Sequence, residues 1–218
     1  MADPGLTARL RAARLYVVSS DGDPARQART LCAAIDGGAD IVQLRNKLAT
    51  PGELVEAARI VREHAHAAGA LFIVNDHVDL AAEVDADGVH VGQDDTPVPE
   101  ALAALPGKIV GQSSHSLEQA VAAVGAGATY IGVGPVFATP TKAGRPAVGT
   151  DLVVQVAKRL EGLPWFAIGG IDERTLPSVL AAGARRVAVV RAVSDAPDPA
   201  AAAARLLAML PEAVAVGL

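Results

Sequence analysis

Short apolar runs alternate with alanine-rich stretches of helical length along almost the whole chain. The runs are Leu15-Tyr16-Val17-Val18, Ile41-Val42-Gln43-Leu44, Leu71-Phe72-Ile73-Val74, Gly88-Val89-His90-Val91, Lys108-Ile109-Val110-Gly111, Tyr130-Ile131-Gly132-Val133, Trp165-Phe166-Ala167-Ile168 and Val187-Ala188-Val189, eight in all. Runs this uniformly apolar suit strands covered on both faces, as in a parallel sheet. A Gly-Ala pair opens three of the segments, at Gly38-Ala39, Gly127-Ala128 and Gly183-Ala184, and Ala86-Asp87-Gly88 is a looser copy. Each follows an alanine-rich stretch, and the glycine suits a helix C-terminus, where φ is often positive.

Helix starts lie between the runs. Asp23-Pro24, Thr50-Pro51 and Asp198-Pro199 each offer an N-cap followed by proline at the first helical position. Thr50-Pro51-Gly52-Glu53 also has capping-box spacing, and Leu54, Ala58, Val61 and Ala65 recur on one helical face until Gly69. Eight strands alternating with helices, at about 20–30 residues per unit, predict an α/β fold, a single (β/α)8 TIM barrel with parallel strands and outer helices. One domain is expected over 1–218, with the barrel proper at about 15–210 and short extensions at both ends. An open doubly wound sheet is the alternative. It fits less well, because Ser19-Ser20-Asp21-Gly22 follows the first strand without a G-x-G-x-x-G, and Gly132-Val133-Gly134-Pro135 is a poor dinucleotide fingerprint.

Composition narrows the function. The 218 residues are 51% apolar and 20% charged with a formal net charge of −5. An acidic balance argues against a protein that coats nucleic acid or an anionic membrane. A lone Cys32 excludes a disulfide framework and a cysteine-based zinc site. The charge-free stretch from Gln119 to Thr141 is long enough to raise a membrane reading, but its glycines, prolines and threonines read better as a helix end, a turn, a buried strand and a loop. Arg9, Arg11 and Arg14 are not followed by a signal-type apolar run, so the expected location is the cytoplasm.

In such a barrel the chemistry sits where strands run into the loops that follow them. Gln43, Arg45 and Lys47 alternate at the end of the second strand, which would set an amide and two cations on one face toward the mouth. Asn75-Asp76 ends the third strand and Gly92-Gln93-Asp94-Asp95 follows the fourth. Oxygen donors at two adjacent strand ends suit a hard cation, with Mg²⁺ the usual partner of phosphate. His64 and His66, two apart on a helix, do not face each other and make a poor metal pair. After the fifth strand Ser113 lies nearest the mouth, His115 is an acid/base candidate that more often proves structural, and Ser116 reads as a helix cap with Gln119. A long loop after the sixth strand brings Thr139, Thr141 and Lys142 around Pro140. Gly169-Gly170-Ile171-Asp172 and Val190-Arg191-Ala192 close the series, where bare backbone amides commonly take a phosphate.

Gln43-x-Arg45-x-Lys47, Asn75-Asp76, Gly92-Gln93-Asp94-Asp95, Gly111-x-Ser113, Thr139-Pro140-Thr141-Lys142 and Gly169-Gly170-Ile171 resemble, in order and spacing, the thiamine phosphate synthase family, from about Leu15 to Leu210. The resemblance implies two phosphorylated heterocyclic substrates, a hydroxymethylpyrimidine diphosphate and a thiazole phosphate, joined with release of pyrophosphate on a Mg²⁺-dependent barrel. It assigns Gln43, Arg45, Lys47, Asn75, Ser113 and Lys142 to the pyrimidine diphosphate, with Arg45, Lys47 and Lys142 also stabilising the leaving group. It assigns Asp76 and Asp95 to the metal, and Thr139, Thr141, Gly170, Val190 and Arg191 to the thiazole phosphate. Two positions depart from many relatives: Asn46 stands in place of Glu, between contact residues where little is at stake, and Arg191 in place of Ser. Homo-oligomerisation is left open.

Two other readings compete. A related barrel that isomerises a thiazole phosphate would keep the phosphate site and use His115 as a proton shuttle, without needing two aspartates or Gln43-x-Arg45-x-Lys47. A non-catalytic sensor of thiamine precursors would bind both ligands and release no pyrophosphate.

Overall fold

The computed structural model describes residues 2–142, 144, 146–160 and 162–212. Eight strands form a closed, all-parallel barrel in sequence order: β1 (Leu15–Val18), β2 (Ile41–Leu44), β3 (Leu71–Asn75), β4 (Gly88–Val91), β5 (Ile109–Ser114), β6 (Tyr130–Val133), β7 (Trp165–Ile168) and β8 (Val187–Val189). The barrel closes where β8 pairs with β1, with Tyr16 opposite Ala188. Every run read as a strand is one. β5 runs beyond the apolar segment to Ser114, so Ser113 is carried by a strand rather than a loop.

Helices α1 (Pro4–Ala12), α2 (Pro24–Asp36), α3 (Pro51–Ala68), α4 (Val78–Glu83), α5 (Val98–Ala104), α6 (Leu117–Gly125), α7 (Gly149–Arg159), α8 (Leu176–Ala181), α9 (Arg191–Ser194) and α10 (Pro199–Met209) complete the described residues, with a 3₁₀ turn at Pro140–Lys142. Their starts follow the caps read from sequence. Asp23 accepts from the Arg26 amide at 2.7 Å and Asp198 from the Ala201 amide at 2.9 Å. The Glu53 carboxylate accepts from the Thr50 amide at 2.7 Å, the reciprocal bond of the capping box, and this hydrogen bond holds its carboxyl below the ordinary value. No described helix is long and apolar enough to cross a membrane; the charge-free stretch divides into α6, β6 and the loop after it.

The Gly-Ala repeat is the turn that links helix to strand. Gly38, Gly127 and Gly183 adopt φ of +92°, +93° and +102°, and the amide of the following alanine reaches back to a helix carbonyl in each case. In the looser copy Asp85 takes the left-handed position at φ +52°, and Ala86 makes the equivalent bond. Asp tolerates that conformation better than most residues because its short side chain bonds locally.

Alternation along the strands makes two cores. Leu15, Val17, Val42, Leu44, Phe72, Val74, Ile131 and Val133 face outward into the layer beneath the helices. Tyr16, Val18, Ile41, Leu71, Ile73, Ile109, Tyr130, Phe166 and Ala188 fill the barrel interior, joined by Leu10 of α1. α1 is tied there by the Asp3 amide to the Gly107 carbonyl and by Arg9 to the Ala70 carbonyl. The interior is thus filled at that end, and the opposite end stays open for the strand-end residues.

Candidate functional site

A cavity of about 400 Å³ opens at the carboxyl ends of the strands. Its floor is Tyr16, Tyr130, Phe166 and His90; Gln43, Arg45, Asn75 and Ser113 line it, and Thr139, Thr141, Gly170, Val190 and Arg191 reach it from the loops. Nine of the residues assigned to the two substrates from sequence therefore share one concavity.

The floor is an aromatic box. Tyr16, Tyr130 and Phe166 meet edge to face with ring centroids 5.4–5.9 Å apart. Burial pushes both tyrosine hydroxyls well above their ordinary pKa, so both keep their protons. Gln43 Nε2 donates to the Tyr16 hydroxyl, which lies 2.9 Å from the Tyr130 hydroxyl. Tyr130 Oη lies 3.0 Å from His90 Nδ1, and His90 Nε2 lies 3.0 Å from Ser113 Oγ. Glycines make room for this chain. A Cβ at Gly111 would lie 2.1 Å from the Tyr130 ring, while one at Gly132 would just touch His90, 3.5 Å from its Cε1. Gly111→Ala is therefore expected to displace Tyr130, costing about 1–3 kcal/mol of stability, and to impair activity further than that loss explains. Denaturant unfolding beside steady-state kinetics checks this; an active, undestabilised variant would contradict it.

The β1–α2 loop builds the β2 end. Ser19 Oγ donates to the Arg45 carbonyl and accepts the Arg45 amide, each at 2.9 Å, and Gln27 Nε2 donates to the same carbonyl at 2.7 Å. Asp21 holds Arg45 Nη1 at 3.0 and 3.1 Å and accepts the Lys47 amide at 2.7 Å. The sequence reading needs two corrections here. Gln43 and Arg45 line the cavity but Lys47 does not share their face: β2 ends at Leu44, and Lys47 turns aside to pair with Asp76. Asn46 is no idle spacer. It is buried, donates to the Gly22 carbonyl and to Gln27, and accepts the Leu48 and Ala49 amides, so it builds the loop that carries Arg45 and Lys47.

Asp76 and Asp95 sit together beside the cavity rather than in its lining. Asp76 directly follows β3 in the left-handed region at φ +59°, with its amide bonded to the His90 carbonyl at 2.8 Å. Burial and the neighbouring Asp95 carboxyl raise the Asp76 pKa, while the Lys47 ammonium opposes the rise. Asp95 is held from behind by the Gly92 amide at 2.7 Å. Two carboxylates so close that Asp95 disfavours ionisation of Asp76 form a donor set that a hard divalent cation would neutralise. Among the described residues no cluster of three or more His, Cys, Asp or Glu groups occurs. Two protein oxygens with the remainder from phosphate and water is the usual arrangement for Mg²⁺.

Other strand ends divide into structure and site. Ser116 caps α6, accepting the Gln119 amide at 3.2 Å, as read from sequence. His115 lines the cavity and its Nδ1 bonds the Gly134 carbonyl, tying the β5 end to the loop after β6. His64 and His66 diverge, to Asp36 and to Asp87. In the loop after β6, Thr139 and Thr141 approach within 3.3 Å of each other. The Lys142 backbone closes the 3₁₀ turn there, and its side chain lies outside the described residues. Arg191 begins α9 at the cavity edge.

A sequence model described as thiamine monophosphate synthase matches residues 15–193. The chain belongs to the thiamine monophosphate synthase family. Among curated relatives, the thiamine-phosphate synthase of Mycolicibacterium vanbaalenii is 51% identical over 187 residues, covering 82% of this chain and 85% of that protein. The thiamine-phosphate synthase of Thermobifida fusca is 48% identical over 216 residues, covering 98% of this chain and 99% of that protein. Among solved structures, a thiamine phosphate pyrophosphorylase from Pyrococcus furiosus superimposes with a TM-score of 0.82 at 34% identity, covering 92% of this chain and 96% of that one. The family resemblance and the (β/α)8 barrel read from sequence are both borne out.

Sequence reading missed the floor. Tyr16, His90 and Tyr130 lie within apolar runs and pass for core, although inward alternation with Gln43 and Ser113 was a usable signal. It also missed Asp21, whose partner Arg45 is 24 residues away.

Proposed function

We propose that the chain condenses 4-amino-2-methyl-5-hydroxymethylpyrimidine diphosphate with 4-methyl-5-hydroxyethylthiazole phosphate, giving thiamine phosphate and pyrophosphate. Family membership supports a transferase that forms thiamine phosphate. The observation that carries the finer reading is one cavity joining an aromatic, amide-bearing floor to Arg45 and to threonine-rich and glycine-rich loops, with Lys47 and a paired carboxylate site alongside. A flat heterocycle fits the floor, and its diphosphate would extend toward Arg45, Asn75, Ser113 and Lys47.

The bond between the pyrimidine methylene and the diphosphate oxygen breaks with its electron pair on oxygen, and the aminopyrimidine delocalises the positive charge left behind. The thiazole nitrogen then gives its lone pair to the methylene carbon. Arg45, Lys47 and Lys142 stabilise the departing diphosphate, and no protein nucleophile is needed. Thr139, Thr141, Gly170 and the Val190–Arg191 backbone hold the thiazole phosphate so that its ring nitrogen faces the reacting carbon. Asp76 and Asp95 would hold Mg²⁺, which when bound neutralises diphosphate charge as a Lewis acid.

A tautomerase reading is disfavoured because it has no need of the paired Asp76 and Asp95 or of the cations Arg45 and Lys47 at the β2 end. Pure protein incubated with both phosphorylated heterocycles and Mg²⁺ is expected to release one pyrophosphate per thiamine phosphate formed, and to lose this activity with chelator. Tight binding of both heterocycles without pyrophosphate release would make the chain a sensor instead.

A further inference from the structure

The segment Gly92-Gln93-Asp94-Asp95 brings Asp95 to the mouth, and its glutamine has a task of its own. β4 pairs with β5 as far as Val91 opposite Gln112, while β5 continues through Ser113 to Ser114. Neighbouring carbonyls of a strand point to opposite sides. That of Ser114 accepts the Gly134 amide on the β6 side, so that of Ser113 turns toward β4, beyond its last paired residue. The Gln93 side chain meets it there, its Nε2 donating to the Ser113 carbonyl at 2.6 Å. Gln112 returns the bond, its Nε2 donating to the Gly92 carbonyl at 3.3 Å. Two side-chain amides thus prolong the ladder past the end of β4, one reaching each way. The Gly92 amide in turn donates to Asp95 Oδ2 at 2.7 Å, and a Cβ on Gly92 would lie 2.6 Å from that same oxygen, so glycine gives the carboxylate its seat. Asp95 is therefore tied, through the Gly92–Gln93 backbone, to the strand that carries Ser113.

We propose that Gln93, with Gln112 as its counterpart, is a positioning residue that holds the Asp95 carboxylate at a set place relative to Ser113, so that a divalent cation and a diphosphate bind the mouth cooperatively. This rests on the reading of Asp76 and Asp95 as a Mg²⁺ site and of Ser113 as a diphosphate contact, and deepens it. An ion shared between protein carboxylates and phosphate oxygens binds best when both donor sets already stand at the separation it demands, and Mg²⁺ tolerates little departure from its preferred geometry. Asp76 directly follows β3, with its amide bonded to the His90 carbonyl, and needs no further support. Asp95 stands four residues past the end of β4 in the connection to α5. Without the brace that connection would be ordered at the moment of binding, at a cost to affinity. With it, the ion and the diphosphate meet a common frame, and each favours the other's binding by the same factor.

Two measurements test it. In metal-free, ligand-free protein, hydrogen exchange of the Gly92 amide is expected to be about fivefold faster in Gln93→Met, which keeps the length of the side chain and removes its N–H. Unchanged exchange would overturn the brace whatever reaction the protein performs. By calorimetry with inorganic pyrophosphate as the probe, Mg²⁺ is expected to tighten binding to the wild-type protein. The ratio of Kd without Mg²⁺ to Kd with it is expected to fall about threefold in Gln93→Met. Gln112→Met, which cuts the longer of the two bonds, is expected to lower the ratio by a smaller factor. A merely structural role would weaken pyrophosphate equally with and without the ion, so an unchanged ratio in Gln93→Met would overturn the positioning role. A wild-type protein that binds no pyrophosphate would overturn the diphosphate reading, and one that binds it equally with and without Mg²⁺ would overturn the metal reading. Either result removes the coupling, while hydrogen exchange still judges the brace.

Discussion

Asp76→Ala and Asp95→Ala are each expected to lower kcat about 10³-fold, roughly 4 kcal/mol of transition-state stabilisation, with the barrel still folded. The size follows from what the pair would hold, a dication beside a leaving diphosphate, rather than from either side chain's own contacts. Burial and Asp95 raise the Asp76 pKa, which gives the prediction a pH sign. In the metal-free protein a raised carboxyl pKa is a stability contribution present below the unfolded value and lost as pH rises through the folded one. At neutral pH the ionised Asp76 is therefore a cost, partly offset by Lys47. Mg²⁺ reverses the sign, because it binds the ionised form and competes with the proton. Added Mg²⁺ should raise Tm more at neutral pH than as pH falls through the Asp76 titration, and the Tm rise should vanish in either alanine variant. Full Mg²⁺-dependent turnover in Asp76→Ala or Asp95→Ala would remove the carboxylate site.

The fold was legible because each of its rules is local. Positive-φ glycines at 38, 127 and 183, caps at Asp23 and Asp198, and two-sided apolar strands each read from a few adjacent residues. The strand-end position of Arg45, Asn75, Ser113 and Thr139 followed from the barrel alone, since its chemistry collects at one rim. What stayed hidden depends on contacts between strands. Asn46 looked passive because its partners Gly22 and Gln27 lie in an earlier loop. Lys47 was set beside Arg45 by strand alternation, but the strand had already ended and Asp76 drew the ammonium away. His90 and Tyr130 passed as core because a buried polar group shows its role only through its partner, here 40 residues apart.

Arg45→Ala is expected to lower kcat about 10²–10³-fold, about 2.7–4 kcal/mol, with a smaller change in the KM for the pyrimidine diphosphate. A single cation about 4 Å from one phosphate charge is worth about 4 kcal/mol at an effective dielectric near 20. Only the part that grows as the diphosphate departs speeds the reaction, so the position of Arg45 matters as much as its charge. Its side chain is only 11% exposed, its backbone is clamped by Ser19 and Gln27, and one nitrogen is held by Asp21 at 3.0 Å. That leaves the rest of the planar fork oriented toward the anion before it arrives, which a compact ammonium could not match. Arg45→Lys should therefore recover less than about tenfold of the loss. Asp21→Asn should slow turnover by a smaller factor, because it loosens the guanidinium without removing it. A raised KM with unchanged kcat in Arg45→Ala would make the residue a ground-state anchor, and leaving-group stabilisation would then fall to Lys47, Lys142 and the metal.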